Sequence, residues 1–172
     1  GQSALGKNTT ADDNVAIGAQ ALLNNTTGED NTALGSFSLT SNTTASNNTA
    51  VGKDALKLNT TGTRGTAIGH LSLVANTTGN FNVAVGDSVL DANTSGTSNT
   101  AVGQNSLTNN TTASNNVAVG NNALKLNTTA SNNTAVGTSA LLSNTTGGPN
   151  VAIGAFALDA NTTGPSNIAV GH

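Results

Sequence analysis

A unit of 17 residues repeats without one insertion or deletion along the chain, and this constrains the fold more than any other feature. With Asn14 as position 1, nine complete units run from Asn14 to Ser166. A partial unit, residues 1–13, precedes them, and residues 167–172 begin another. The 172 residues thus form a single repeat domain of about ten units. Self-similarity at a fixed period marks a solenoid or array, in which each module is one structural unit that buries its apolar face only against its neighbours. The columns are strict. Position 5 is Gly from Gly1 to Gly171, position 3 is Ala from Ala16 to Ala169, and position 9 is Leu from Leu5 to Leu158. Position 4 is Val, Ile or Leu; positions 12 and 13 are always Asn-Thr, from Asn8-Thr9 to Asn161-Thr162.

The charged residues test the register independently. All 13 fall at positions 6, 7, 10, 11, 16 and 17, as Lys53, Asp54, Lys57 and Arg64 illustrate, and both His70 and His172 occupy position 6. Some positions therefore build the unit, and the others meet water.

A helical repeat usually needs about 30 residues or more to hold a helix pair. A 17-residue unit with an obligatory Gly, an Asn-Thr-Thr-Gly stretch and frequent β-branched residues is a poor helix host. It suits one coil of an all-β, parallel β-solenoid. Positions 1–5 are expected to form a strand and positions 7–11 a second. Positions 12–17 turn the chain into the next coil. Gly at position 5 marks a positive φ or a close backbone approach. Coils stacked about 4.8 Å apart give a rod on the order of 45–50 Å long. Stacking aligns identical residues, so the Asn columns at positions 12 and 1 can pair their amides from coil to coil. Leu at position 9 and Val/Ile at position 4 should form continuous apolar strips.

Side chains alternate along a strand. Positions 2 and 4 (Val/Thr and Val/Ile) therefore share one face, and Ala and Gly at 3 and 5 share the other. Neither face carries a charge in any unit, as in strands covered on both sides. One face should fill the narrow coil interior. The other is free to meet another chain, unless Ala and Gly simply form a smooth exposed surface.

Composition excludes several classes. Without Cys there is no disulfide framework, Cys-ligated zinc or thiol chemistry. The apolar runs are short, which argues against membrane insertion, and neither end reads as a signal peptide. With no initiator Met, the chain is read as a mature or excised piece. A net charge of −3 with five basic residues argues against nucleic-acid binding. Asn and Thr make up a third of the chain, yet the strict apolar order and low net charge are unlike a disordered segment.

The pentapeptides Asn14-Val-Ala-Ile-Gly18 and Asn150-Val-Ala-Ile-Gly154, with the Asn-Thr-Ala-Val-Gly copies, resemble the repeat of YadA-like heads of trimeric autotransporter adhesins. The longer NTAVG-xx-AL-xx-NTTG cadence is similar to repeats of phage tail-fibre shafts. The resemblance covers the whole chain. It implies a left-handed β-roll, assembly as a homotrimer, and display at a cell surface or on a virion fibre. Units in those heads are shorter, and the extra residues here fall in the NTTG turn. Both ends stop within a unit, so the chain is expected either to continue or to stack end to end into a filament.

No catalytic constellation is present: the two His are isolated, and no Ser, His and acid recur together. No cofactor is expected. Asp12, Asp13, Glu29 and Asp30 occupy positions 16 and 17 of consecutive coils, a weak candidate for a Ca²⁺ site beside the alternative of a solvated acidic edge. Asn8, Asn25, Asn42, Asn59, Asn76, Asn93, Asn110, Asn127, Asn144 and Asn161 each open an Asn-x-Thr/Ser sequon, a possible glycosylation acceptor. The same residues could serve only the turn and the ladder.

The leading functional expectation is an extracellular structural fibre or rod segment that spaces or displays something at a surface. A first alternative is an adhesin head that binds a host or matrix ligand through free-position residues such as Phe37, Leu71, Phe81 and Phe156. A second is ice binding through the paired Thr at positions 13 and 14.

Overall fold

The computed structural model describes residues 1–172 as ten parallel strands and no helix. They are β1 Val15–Ile17, β2 Thr32–Leu34, β3 Thr49–Val51, β4 Thr66–Ile68, β5 Val83–Val85, β6 Thr100–Val102, β7 Val117–Val119, β8 Thr134–Val136, β9 Val151–Ile153 and β10 Ile168–Val170. They form one sheet in sequence order. Register never slips: Ala16 lies beside Ala33, Ala50 beside Ala67, and so on to Ala152 beside Ala169. Each 17-residue unit is therefore one coil of a β-solenoid.

Only one strand forms per coil. The expected second strand at positions 7–11 is instead a run of turns. Every residue at position 7 (φ 53 to 61°) and every Leu at position 9 (φ 49 to 52°) has left-handed backbone. Position 17 does too (φ 55 to 64°), except at Pro149, whose ring fixes φ near −65°. A left-handed bulky residue costs on the order of 1–2 kcal/mol, yet all ten Leu adopt it. Full burial of a Leu returns about 1.5–3 kcal/mol, and the Leu column from Leu22 to Leu141 is completely buried.

The turns keep the axial hydrogen bonds. Of 107 backbone–backbone bonds, 18 lie within the strands; the others include bonds from turn residues of one coil to the next as well as bonds inside a coil. Leu22 N–H donates to Ser38 O in the next coil (3.0 Å), and Asn24 N–H to Thr40 O (3.2 Å). Phe37 N–H donates backward to Ala19 O (2.9 Å). Left-handed residues let the position-7 amide point to the preceding coil and the amides of positions 9 and 11 to the following one without an extended strand.

The core is narrow. It is built from Leu at position 9, Ala at position 3 and Ala, Ser or Val at position 8, including Ala33, Leu39, Ala55 and Val89. Of the two faces of the strand, the Ala face lines the interior and the Val/Ile face does not, because Leu already fills it and leaves room for one methyl. Gly at position 5 has φ of 116 to 140° wherever the sheet carries it, from Gly18 to Gly171. A Cβ on Gly18 would sit 2.5 Å from the Gly35 carbonyl. The column is glycine because coils approach each other there backbone to backbone.

Candidate functional surface

Two side-chain ladders run the length of the rod. At position 12, each Asn Nδ2 donates to the position-15 carbonyl of its own coil, as Asn42 does to Ala45 O (2.9 Å) and Asn110 to Ala113 O (3.1 Å). The other Nδ2 hydrogen reaches the Asn Oδ1 of the preceding coil. Asn25 donates to Asn8 (3.1 Å), Asn59 to Asn42 (3.1 Å), Asn93 to Asn76 (2.9 Å), Asn127 to Asn110 (3.0 Å) and Asn161 to Asn144 (3.1 Å), with no rung missing between them. At position 13, each Thr hydroxyl donates to the Thr carbonyl of the following coil. Thr26 to Thr43 O (3.0 Å) and Thr94 to Thr111 O (3.1 Å) are examples. Except at Thr43, the backbone N–H of the same Thr donates to that carbonyl as well. The Asn ladder points toward the N-terminus and the Thr ladder toward the C-terminus, so each coil is tied in both directions.

A second Asn column, at position 1, serves the backbone. Its Oδ1 accepts the N–H of the position-1 residue one coil on, as in Asn31→Asn14 (2.9 Å) and Asn116→Asn99 (3.0 Å). Its Nδ2 reaches the position-15 carbonyl at the far end of its own unit, as in Asn99 to Ala113 O (2.9 Å). Gly65 interrupts this column. Asn82, directly above it and buried, has no side-chain acceptor for its N–H.

The ten sequon asparagines are the position-12 ladder. Asn25, Asn42, Asn59, Asn76, Asn93, Asn110, Asn127 and Asn144 are buried, while Asn8 is exposed and Asn161 half-buried. Joining a glycan to Nδ2 in the folded interior would break the bonds just described. The pairs Asp12/Asp13 and Glu29/Asp30 are all exposed, and no group of three or more His, Asp or Glu is placed to hold a metal ion. Phe37, Leu71 and Phe156 share position 7 but lie about 10 and 24 Å apart along the axis, so they form no continuous stripe. Lys57 caps the Phe37 ring (5.2 Å) and Arg64 the Phe81 ring (5.3 Å). Thr at position 13 spends its hydroxyl on the ladder; Thr at position 14 is exposed in every coil where it occurs.

Electrostatics are sparse. His70 Nδ1 lies 2.9 Å from Asp87 Oδ1 in the next coil. This hydrogen bond holds the Asp87 carboxyl below its ordinary value of 3.8. Asp91 is pushed above that value by burial. Asp54 pairs with Lys57 (3.0 Å).

The feature the sequence left undecided is the outward face of the sheet. Position 4 is apolar in all ten strands and points out of the rod: Ile17 is 57% exposed, Leu34 43%, Ile68 40% and Ile153 42%, with Val51, Val85 and Val102 half-buried. Position 2 lies beside it, as Thr at Thr32, Thr49, Thr66, Thr100 and Thr134 and as Val or Ile elsewhere. The absence of charge from both columns was the available signal. Which face turned inward depended on coil width, which no column states.

Comparison with known proteins finds no matching family model, no matching curated protein and no matching solved structure.

Proposed function

We propose that this chain is a structural rod: an extracellular fibre segment, of cell-surface or virion-fibre type, that spaces or displays other elements. Its role is mechanical rather than catalytic. The observation that carries this reading is the unbroken axial zipper of Asn at position 12 and Thr at position 13, in which every rung from Asn8 to Asn161 is made. Pulling the rod along its axis or opening one coil to a protease breaks several short, aligned bonds together, whereas a domain held by scattered contacts yields locally. The free positions, where all charge resides, tune solubility without touching the zipper. The homotrimer implied by the repeat resemblance belongs to the same reading.

Electron microscopy of the purified chain, with limited proteolysis, tests it. The expectation is uniform straight rods that resist a broad-specificity protease in the folded state. Flexible strings, or rapid cleavage throughout the repeats, would overturn the reading.

A further inference from the structure

Position 1 of the fourth unit is Gly65, where the other units carry Asn. Asn99 shows what that side chain does. Its Nδ2 donates to Ala113 O (2.9 Å) and to Oδ1 of Asn82, one coil back (3.2 Å). Its Oδ1 accepts the N–H of Asn116, one coil on (3.0 Å). Gly65 supplies none of these bonds, and the matching groups around it are left short. The N–H of Asn82, a residue 1% exposed, has no acceptor in the chain. Gly79 O takes one amide donor, Asn76 Nδ2 (3.0 Å), whereas Gly62 O and Gly96 O take two each. Asn48 Oδ1 accepts the Gly65 N–H (2.8 Å) and keeps its second lone pair free.

The coils do not close over this space. Thr49 N–H still donates to Gly65 O and Thr66 N–H to Asn82 O at 2.8 Å, the length of every other such rung. Ala50, Ala67 and Ala84 keep their register, and Gly65 is itself buried. Folded chains leave almost no buried N–H unpaired, because the lost hydrogen bond to solvent is not repaid. We propose that Gly65 creates a binding site for one ordered water, which takes the place of the missing carboxamide. Its oxygen accepts the Asn82 N–H, and its two hydrogens go to Gly79 O and Asn48 Oδ1. The partners select the ligand. One N–H and two amide oxygens call for a molecule with one acceptor and two donors, which is water. An anion would meet two oxygens and a metal cation would meet the N–H, and either would be a charge in the interior without a counter-charge. Three polar partners are also what a buried water normally has, and holding it costs less than leaving the donor unpaired. An Asn side chain is larger than a water, so the space it fills elsewhere admits one, with Leu56 Cδ1, 3.5 Å from the Cβ position, as its apolar wall. The axial chain of bonds thus continues past Gly65. This inference rests on coil geometry alone and not on the role of the rod.

Two measurements on the full chain test it: a crystal structure fine enough to show ordered water, and NMR transfer of magnetisation from water to the backbone amides of isotope-labelled protein. The expected density is one water within hydrogen-bond reach of Asn82 N, Gly79 O and Asn48 Oδ1, with no counterpart beside Asn99 or Asn116. The expected NMR result is transfer to the Asn82 amide with the sign of a long-lived bound water. The Asn99 and Asn116 amides, which bond Asn Oδ1 groups, should show none. Gly65→Asn should abolish both signals. If circular dichroism shows that this variant does not fold, the comparison of Asn82 with Asn99 and Asn116 in the wild type decides alone. An Asn82 N–H bonded to a protein group, or without any water contact, would overturn the inference, as would a water that persists in folded Gly65→Asn. Bromide found in the site after soaking the crystal would make the ligand an anion and overturn it too.

Discussion

Gly65 is the one interruption of the position-1 Asn column between Asn14 and Asn167, and filling it should stabilise the protein. Asn48 Oδ1 already accepts the Gly65 N–H (2.8 Å). Nothing continues the column upward, and the buried Asn82 N–H is left without a protein acceptor. Gly65→Asn would supply an Oδ1 for that N–H and an Nδ2 for the Gly79 carbonyl. Its backbone does not need glycine, because φ is not positive. A Cβ there would lie 3.1 Å from Asn48 Oδ1 and 3.5 Å from Leu56 Cδ1, so the Asn48 amide must give way by a few tenths of an ångström. Each new hydrogen bond contributes about 1 kcal/mol net, and replacing a glycine at a compatible site about 0.4–1 kcal/mol more. Allowing for the tight Cβ contact, the gain is about 2 kcal/mol, or a melting temperature about 4–8 °C higher for a chain of this size. Thermal and urea unfolding followed by circular dichroism would measure it, with Gly52→Asn as the opposite control. Gly52 has φ of 135° and sits against the Gly69 carbonyl, so that variant should lose stability. Unchanged or lowered stability of Gly65→Asn would refute the claim that position 1 holds the coils through its side-chain amide.

Three further predictions follow from the same geometry. Asn110→Ala strands Asn93 Oδ1 and one Asn127 Nδ2 hydrogen in the interior, and should cost about 2–4 kcal/mol in urea unfolding; a loss under about 0.5 kcal/mol would mean the ladder is decorative. Ser98 is exposed with φ of 56°, so Ser98→Gly should gain up to about 1 kcal/mol and Ser98→Val should lose about 1–2 kcal/mol; the reverse order would show that this turn is not left-handed. For pH, Asp91 has a folded-state value above 3.8, so acidification toward 3.8 relieves its buried charge and stability rises. Asp87 has a folded-state value below 3.8, so its stabilisation is complete above 3.8 and is lost as pH falls through the lower value. Their opposition predicts a shallow stability maximum near pH 3.8, its rising side removed by Asp91→Asn and its acid fall weakened by His70→Ala, both readable from melting temperature against pH.

Much of the fold was legible because stacking copies a residue's environment into every coil. Asn at 12 and Thr at 13 never vary, and each proves to bond its own equivalent in the neighbouring coil. Gly at 5 never varies because backbones meet there. The residues at 7 and 9 gave no such warning. Leu and Phe are not the usual left-handed residues, so Leu39 and Phe37 looked like a strand when they form a turn. What forces that turn is the axial bonding of their amides, visible only once coils are stacked. The direction of the Val/Ile column was hidden for a related reason. Alternation separates two faces but does not say which is inside, and size ranking favours Val over Ala. The interior admits Ala because the Leu of position 9 occupies the space a second large side chain would need.

The rise of one module along the rod axis tests the account most directly. Diffraction from aligned rods should show a meridional reflection near 4.8 Å, one step per 17-residue unit, with no stronger helical repeat. A dominant 5.4 Å helical pitch or 1.5 Å rise, or an advance per unit far from about 4.8 Å, would contradict the stacked-coil structure and the ladders built on it.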